Sequence, residues 1–310
     1  MRQVFEPGGT RAIPPAPTAP TAPTASTRGI VDPAAARGGF ALVRLDPAPD
    51  LADLVERHWV VRWDLPPGAA FTQTVIPHPN ANVVAEADGF AVHGIPGGLF
   101  ARTLRGSGAV LGTKLRPGAL RVLLDGPGAL RPGLVAPAVA LAAPGGPGAA
   151  DVEAAGRRAV AAVRAGDDVA AVAAVTPVLR AAAAGRRGPR SAEALARVAR
   201  VLAAVVGGDL GPDAGVGDLA ALAGTTPRSL QRLFAAWVGV SPKWVLQRHR
   251  VHLAADLIAS DPGRPLADVA AVVGYYDQAH LSTDFARALG MPPAAFARRC
   301  ARSVGALARA

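Results

Sequence analysis

The chain has 310 residues, a single cysteine and a formal net charge of +10, which allows two domains and favours a polyanionic partner over an acidic scaffold of the same size. The basic excess is spread evenly, with 19 Lys/Arg against 14 Asp/Glu in residues 1–189 and 14 against 9 in residues 190–310. Cys300 alone excludes an intrachain disulfide framework and a multi-cysteine zinc site. No signal-like apolar core opens the chain and Pro, Gly or Arg cut every apolar run short of about 18 residues, so a cytoplasmic protein without membrane contact is expected.

In chain order, residues 1–38 are dominated by Pro, Ala, Thr and Gly and are expected to be a disordered arm. Residues 39–150 switch to short runs of β-formers: Phe40–Leu45, Val55–Trp63, Phe71–Ile76, Asn82–Glu86, Gly98–Leu104 and Val110–Leu115. That spacing predicts a β-rich sandwich or barrel with a sensor or regulatory role. Trp59, Trp63, His78, Asn80, Asn82, His93 and Lys114 interrupt its bland apolar pattern and are the candidates for an effector pocket. The same tryptophans would serve as core, and the same polar residues would satisfy turns. His58, His78 and His93 would suit a metal inside a barrel, but no two have close metal-motif spacing. Residues 151–189 read as a helical connector, with helix from Ala155 to Ala184, a break near Pro177 and another at Gly185 to Pro189.

Residues 190–300 read as helices joined by short turns, the first capped by Ser191 and ending at Gly207-Gly208. An internal repeat follows. Asp218, Ala220, Ala221 and Gly224 recur as Asp268, Ala270, Ala271 and Gly274; Leu230, Phe234, Ala235, Gly239 and Pro242 recur as Leu281, Phe285, Ala286, Gly290 and Pro293. Each copy has the grammar of a helix-turn-helix. A short helix with a small contact residue (Ala220, Ala270) ends at a glycine (Gly224, Gly274), and a second helix starts from Thr226-Pro227 or from Asp277.

The second helices turn Leu230, Leu233, Phe234 and Trp237, or Leu281, Phe285 and Leu289, inward. Arg228, Ser229, Gln231 and Arg232 face outward in the first unit, and Gln278, His280, Ser282, Thr283 and Arg287 in the second. Arg and Gln match guanine and adenine edges, and a helix fits the major groove, although a solvated polar face has the same pattern. Ser241-Pro242 opens a linker helix to Ser260. Its nineteen or so residues span about 28 Å, approaching one turn of duplex.

Asp218-Leu219-Ala220, Gly224, Leu230-Gln231-Arg232-Leu233-Phe234, Val238 to Pro242, Arg250-Val251, Ala254, Val269-Ala270, Gly274-Tyr275, Phe285 and Gly290 to Pro293 together resemble the DNA-binding domain of AraC-family transcription regulators, over about Val216 to Arg299. His58 to Trp63, Pro77 to Asn82 and Leu111 to Gly118 resemble the β-rich N-terminal domain of one subgroup. The resemblance implies an α+β multidomain protein whose all-α C-terminal part holds two helix-turn-helix units on a long linker helix. It implies base contacts from Arg228, Gln231, Arg232, Gln278, Ala279 and Thr283, and Arg250 near phosphate or bracing the linker. Ser229, Lys243, His280, Ser282 and Arg287 complete the expected DNA-binding set. Where the family often has Arg, this chain has Thr283 beside Asp284, which implies a second unit that binds weakly or mainly to backbone and leaves sequence choice to the first.

Double-stranded DNA is therefore the expected partner of a bacterial regulator, with a small-molecule effector acting through the N-terminal domain; RNA polymerase and a homodimer are further partners that fit. A metal-dependent or DNA-repair enzyme carrying such a domain, or an interaction module that has lost DNA binding, is the alternative. Alkyl transfer would need an activated thiol, and Cys300 lies near a basic tail (301–310) with no activating base beside it. No catalytic residue, metal or cofactor is assigned.

Overall fold

The computed structural model describes residues 40–307 apart from Pro127 and Pro144, and of residues 302–307 the backbone alone. The arm at 1–38 and the last three residues of the tail lie outside the described residues.

Among the described residues, eight strands form two sheets. A six-stranded antiparallel sheet has the order β1 (Ala41–Leu45), β2 (Val55–Asp64), β7 (Ser107–Leu115), β4 (Asn82–Glu86), β5 (Gly89–His93) and β8 (Val135–Pro137). β3 (Ala70–Val75) pairs with β6 (Phe100–Arg105) as a separate ribbon. The expected β-rich N-terminal region is thus present, as an open sheet with β1 and β8 at its edges and a ribbon facing it. The Trp63 indole, which donates to the Arg105 carbonyl at 3.1 Å, the Arg102–Glu86 ion pair and the Phe40–Phe71 ring contact join the two sheets.

Alternation along each strand divides the large sheet into two faces. Val60, Ala85, Ala109 and Leu111 point to one side and pack with Ala159, Val160, Val163, Ala171 and Val175 of α2 (Ala149–Arg164) and α3 (Asp168–Ala184). The opposite face carries Trp59, Val61, Trp63, Asn82 and Val84. The stretch read as a connector is therefore the helical layer that covers the sheet. Its break falls at Gly166 (φ +83°), after which Asp167 caps α3 by accepting from the Ala170 N–H at 2.9 Å. Pro177 sits inside α3 instead of breaking it. The buried Val175, Val178, Leu179 and Ala182 around it supply packing that outweighs one missing backbone bond. Two strands had no reading from sequence, β5 and the three-residue β8, as did the one-turn helix α1 (Leu120–Leu123).

Six of the seven remaining helices build the repeat and its entry: α4 (Pro189–Gly207), α5 (Val216–Leu222), α6 (Pro227–Trp237), α7 (Pro242–Ser260), α8 (Leu266–Val272) and α9 (Gln278–Leu289). The seventh, α10 (Pro293–Leu307), continues past residue 300 into what reads as a tail. Ser191 is not the cap of α4. It sits one turn in and reaches back, accepting from the Gly188 N–H at 2.9 Å. Thr226, Ser241 and Asp277 do cap their helices, accepting from the N–H of Ser229, Trp244 and His280 at 3.2, 3.1 and 2.7 Å. Phe234 and Phe285, equivalent in the repeat, are fully buried at the centres of the two units; truncating such a side chain to Ala costs about 3–5 kcal/mol.

Gly224 and Gly274 take φ of +62° and +78°, the left-handed conformation in which a Cβ costs roughly 1–2 kcal/mol. They differ in surroundings. A Cβ at Gly224 would meet nothing within 4 Å, whereas one at Gly274 would lie 1.8 Å from the Pro212 carbonyl oxygen, because the loop entering the first unit crosses the turn of the second. Gly224→Ala is therefore expected to lower urea-unfolding stability by about 1–2 kcal/mol, and Gly274→Ala by at least twice as much. Equal losses would mean that the loop does not bear on the second turn.

Candidate functional site

On α6, Arg228, Gln231 and Arg232 are exposed while Ser229 is half-buried, its hydroxyl within 3.1 Å of Thr226 Oγ1 and 3.3 Å of Arg232 Nη2. On α9, Gln278, Ala279, His280, Thr283 and Arg287 are exposed and Ser282 is half-buried. Lys243 is exposed in the first turn of α7. The outward faces of both second helices are thus open to solvent. A residue that sequence reasoning passed over joins them: Tyr276, 95% exposed, stands just before the Asp277 cap of α9.

Two charged residues are placed differently from the outward arrangement. Arg250 is half-buried and donates to the Ala214 carbonyl at 2.8 Å, bracing α7 against the loop before α5. Asp284 does not stand in the outward face beside Thr283. It is 7% exposed and accepts from Gln247 Nε2 at 3.1 Å, Arg287 Nη1 at 2.8 Å and the Tyr275 hydroxyl at 3.4 Å. Burial, and then the Asp284 charge, push the Tyr275 phenol up from its ordinary value, so it stays a donor. The carboxylate therefore fastens α9 to α7, and its charge is met inside the protein and not presented to a phosphate.

The seven effector candidates all line one cavity of about 920 Å³ between the two sheets and the C-terminal helices. That volume lies within the roughly 300–1,000 Å³ of small-molecule sites. Its aromatic wall has a backbone cause. Trp59 and Trp63 pair across the strands with Gly112 and Gly108, and a Cβ at those glycines would come within 2.0 and 2.1 Å of the indoles. Two glycines four residues apart let two indoles lie flat on β7. The Trp59 indole donates to Asn82 Oδ1 at 3.3 Å. Asn80 donates to the Leu115 carbonyl at 2.7 Å and to Glu56, and Lys114 donates to Glu56 at 3.1 Å. Burial lowers the Lys114 ammonium and the His93 imidazole from their ordinary values.

The C-terminal helices close the cavity with side chains of α4 and α7, among them Leu202, Val206, Arg248 and His252. His78 stacks on His252 with ring centroids 4.1 Å apart, and His252 Nε2–H donates to the Pro77 carbonyl at 3.3 Å. Ile76 enters the core of the second unit and Ile95 that of the first. His58 does not join His78 and His93. It lies on the helix side of the sheet, fully buried, with Nδ1 2.9 Å from Thr113 Oγ1.

Residues 219–299 match the family model of a helix-turn-helix domain, and residues 43–130 that of a domain of unknown function (DUF6597). A Streptomyces lividans protein described as an AraC-like transcription regulator is 41% identical over 78 residues. The C-terminal part of this chain is an AraC-type helix-turn-helix domain. The aligned stretch spans a quarter of this chain and a quarter of that relative. Among solved structures, the C-terminal domain of the response regulator AraT from Geobacillus stearothermophilus aligns over 33% of this chain and 84% of its own, at 27% identity and a TM-score of 0.31. ToxT from Vibrio cholerae aligns over 84% and 98%, at 9% identity and a TM-score of 0.38.

Two buried histidines make stability depend on pH: His252 at the contact between the C-terminal helices and the loops of the sheets, and His58 on the helix side of the large sheet. Burial, followed by the neighbouring His78, lowers His252 to about 3, and burial lowers His58 to about 4. An unfolded histidine takes up its proton near 6.5, so the folded protein holds fewer protons between pH 3 and 6.5. Stability is complete above pH 6.5 and falls as pH drops toward 3. At pH 5 each of these two histidines is expected to have cost about 2 kcal/mol relative to pH 7, read from urea unfolding, and His252→Gln should remove its own share of that slope. A slope unchanged by that substitution would contradict the buried placement.

Proposed function

We propose that this protein is a sequence-specific DNA-binding transcription regulator whose DNA binding is controlled by a small molecule held in the cavity under the linker helix. The observation that carries the reading is the duplicated unit with two capped, solvent-facing second helices bearing Arg228, Gln231 and Arg232 on one and Gln278, His280 and Thr283 on the other. Helices of this kind fit the major groove, and Arg and Gln carry the paired donors and acceptors that tell guanine and adenine apart. The C-terminal match to AraC-type domains and the similar stretch of an AraC-like regulator support it.

In this reading the first unit reads bases, and Lys243, Arg287 and the second unit's polar face hold phosphates and a second stretch of groove. Arg250 acts as a brace. The seven cavity residues, Trp59 to Lys114, face the effector. RNA polymerase is the partner such a function calls for, and a bacterial cytoplasm its setting; among the described residues no single helix is long and apolar enough to cross a membrane. A regulator is favoured over an enzyme because the three imidazoles of a metal-site reading are split between two faces of the sheet.

Arg232→Ala tests the base-reading role. It is expected to cost about 1–3 kcal/mol on a selected site and to relax sequence preference, with little loss on random duplex. Equal loss on both DNAs, measured by fluorescence anisotropy at one salt concentration, would contradict it.

A further inference from the structure

One charged side chain in the cavity wall lacks a directly bonded carboxylate among the described residues. Arg248 is 8% exposed, lies on the linker helix one turn before His252, and its buried Nη1 has no hydrogen-bond partner among the described residues. Its guanidinium lies over the Trp244 ring, whose centroid is 4.8 Å from the guanidinium carbon. A ring face offsets only part of what burial takes from a guanidinium, which stays charged at any working pH.

The carboxylates of the wall are already engaged. Glu56 is held by Lys114, Arg57 and Asn80, Glu86 by Arg102, and Asp53 by Arg187. Asp284 and Tyr275 act on Arg248 through space, but Asp284 has both oxygens bonded elsewhere. The same cavity offers a flat apolar surface in Trp59 and Trp63, with Val61 and Val110 beside them and Leu202 and Val206 on α4.

We propose that the cavity takes a small organic anion, its flat apolar body lying against the Trp59–Trp63 wall and its acidic group held by Arg248 of the linker helix. This rests on the effector-controlled reading above and specifies its ligand class. It also says which element senses the ligand: the acidic group would be received by the helix that carries both helix-turn-helix units. Occupancy would then bear directly on the DNA-binding half, with no relay through the sheet. A carboxylate and a phosphate monoester share this chemistry.

Two fluorescent probes of nearly the same shape test it on the full-length protein without DNA: 8-anilinonaphthalene-1-sulfonate, an anion, and N-phenyl-1-naphthylamine, its uncharged counterpart. The anion is expected to bind with one site per chain and at least about tenfold tighter than the neutral probe. Arg248→Gln should weaken the anion roughly ten- to a hundredfold and leave the neutral probe unchanged, while Arg116→Gln, at an exposed cation of the same wall, should change neither. Displacement by 1-naphthoate or by 1-naphthyl phosphate then tells which acid is preferred. Equal binding of the two probes, or a loss that follows Arg116 instead of Arg248, overturns the proposal. If Arg248→Gln loses its cooperative melt, the ratio of the two probes on the unaltered protein decides, and a ratio near one overturns it. Because DNA is absent, failure here leaves the DNA-binding reading standing, and failure of base reading leaves this result intact.

Discussion

Burial of the linker helix α7 on several sides at once is the constraint on which the rest of the molecule depends. Val245 and Leu246 at its start complete the core of the first unit, while Val251, Ala254, Ala255 and Ile258 complete that of the second. Arg248 and His252, between these groups, face the cavity below the sheets. A surface helix would have one apolar stripe and one wet face. This one has no free face along its middle, so its position is set by both helix-turn-helix units and by the N-terminal domain together. Rotating it would disturb the first core, the second core and the His78 stack at once.

Cross-bracing ties the two units to each other. Arg250 bonds to the Ala214 carbonyl and Pro212 lies against the Gly274 turn, tying the entry loop of the first unit to the linker and to the second unit. Asp284 ties α9 back to α7 through Gln247. Such buried polar ties contribute more to a unique arrangement than to gross stability, since removing one partner strands the other. A spacing between second helices that varied freely would sacrifice the advantage of having two of them. The N-terminal domain meets these units at Ile76, Pro77, His78 and Ile95, all on loops at the ends of strands. In the proposed function, a ligand beneath the linker acts there on both units together.

The C-terminal half was legible in the sequence because its determinants are local. Glycines at 224 and 274, caps at Thr226, Ser241 and Asp277, and a linker from Pro242 to Ser260 depend on neighbours within a few residues, and the structure has each of them. The N-terminal half depends on pairing across long separations. Trp59 and Gly112 are cross-strand partners, and only that register explains why two tryptophans form a wall and not a core. Pro177 misled for a related reason, since a proline inside a helix is tolerated when packing on both sides holds it. Asp284 reads as an exposed acid beside Thr283, but helical phase places it against Gln247, thirty-seven residues away. Arg248 carries no local signal, because its interest lies in what does not contact it.

In the proposed function two outward helices, held by one buried linker, read duplex DNA as a unit. Selection of bound sequences from a random duplex library by the full-length protein tests it most directly. An enriched site is expected that extends over about two turns of duplex, some 20 base pairs, with its strongest base preference in the half facing α6. Enrichment confined to a few base pairs, or none above the input library, would contradict it.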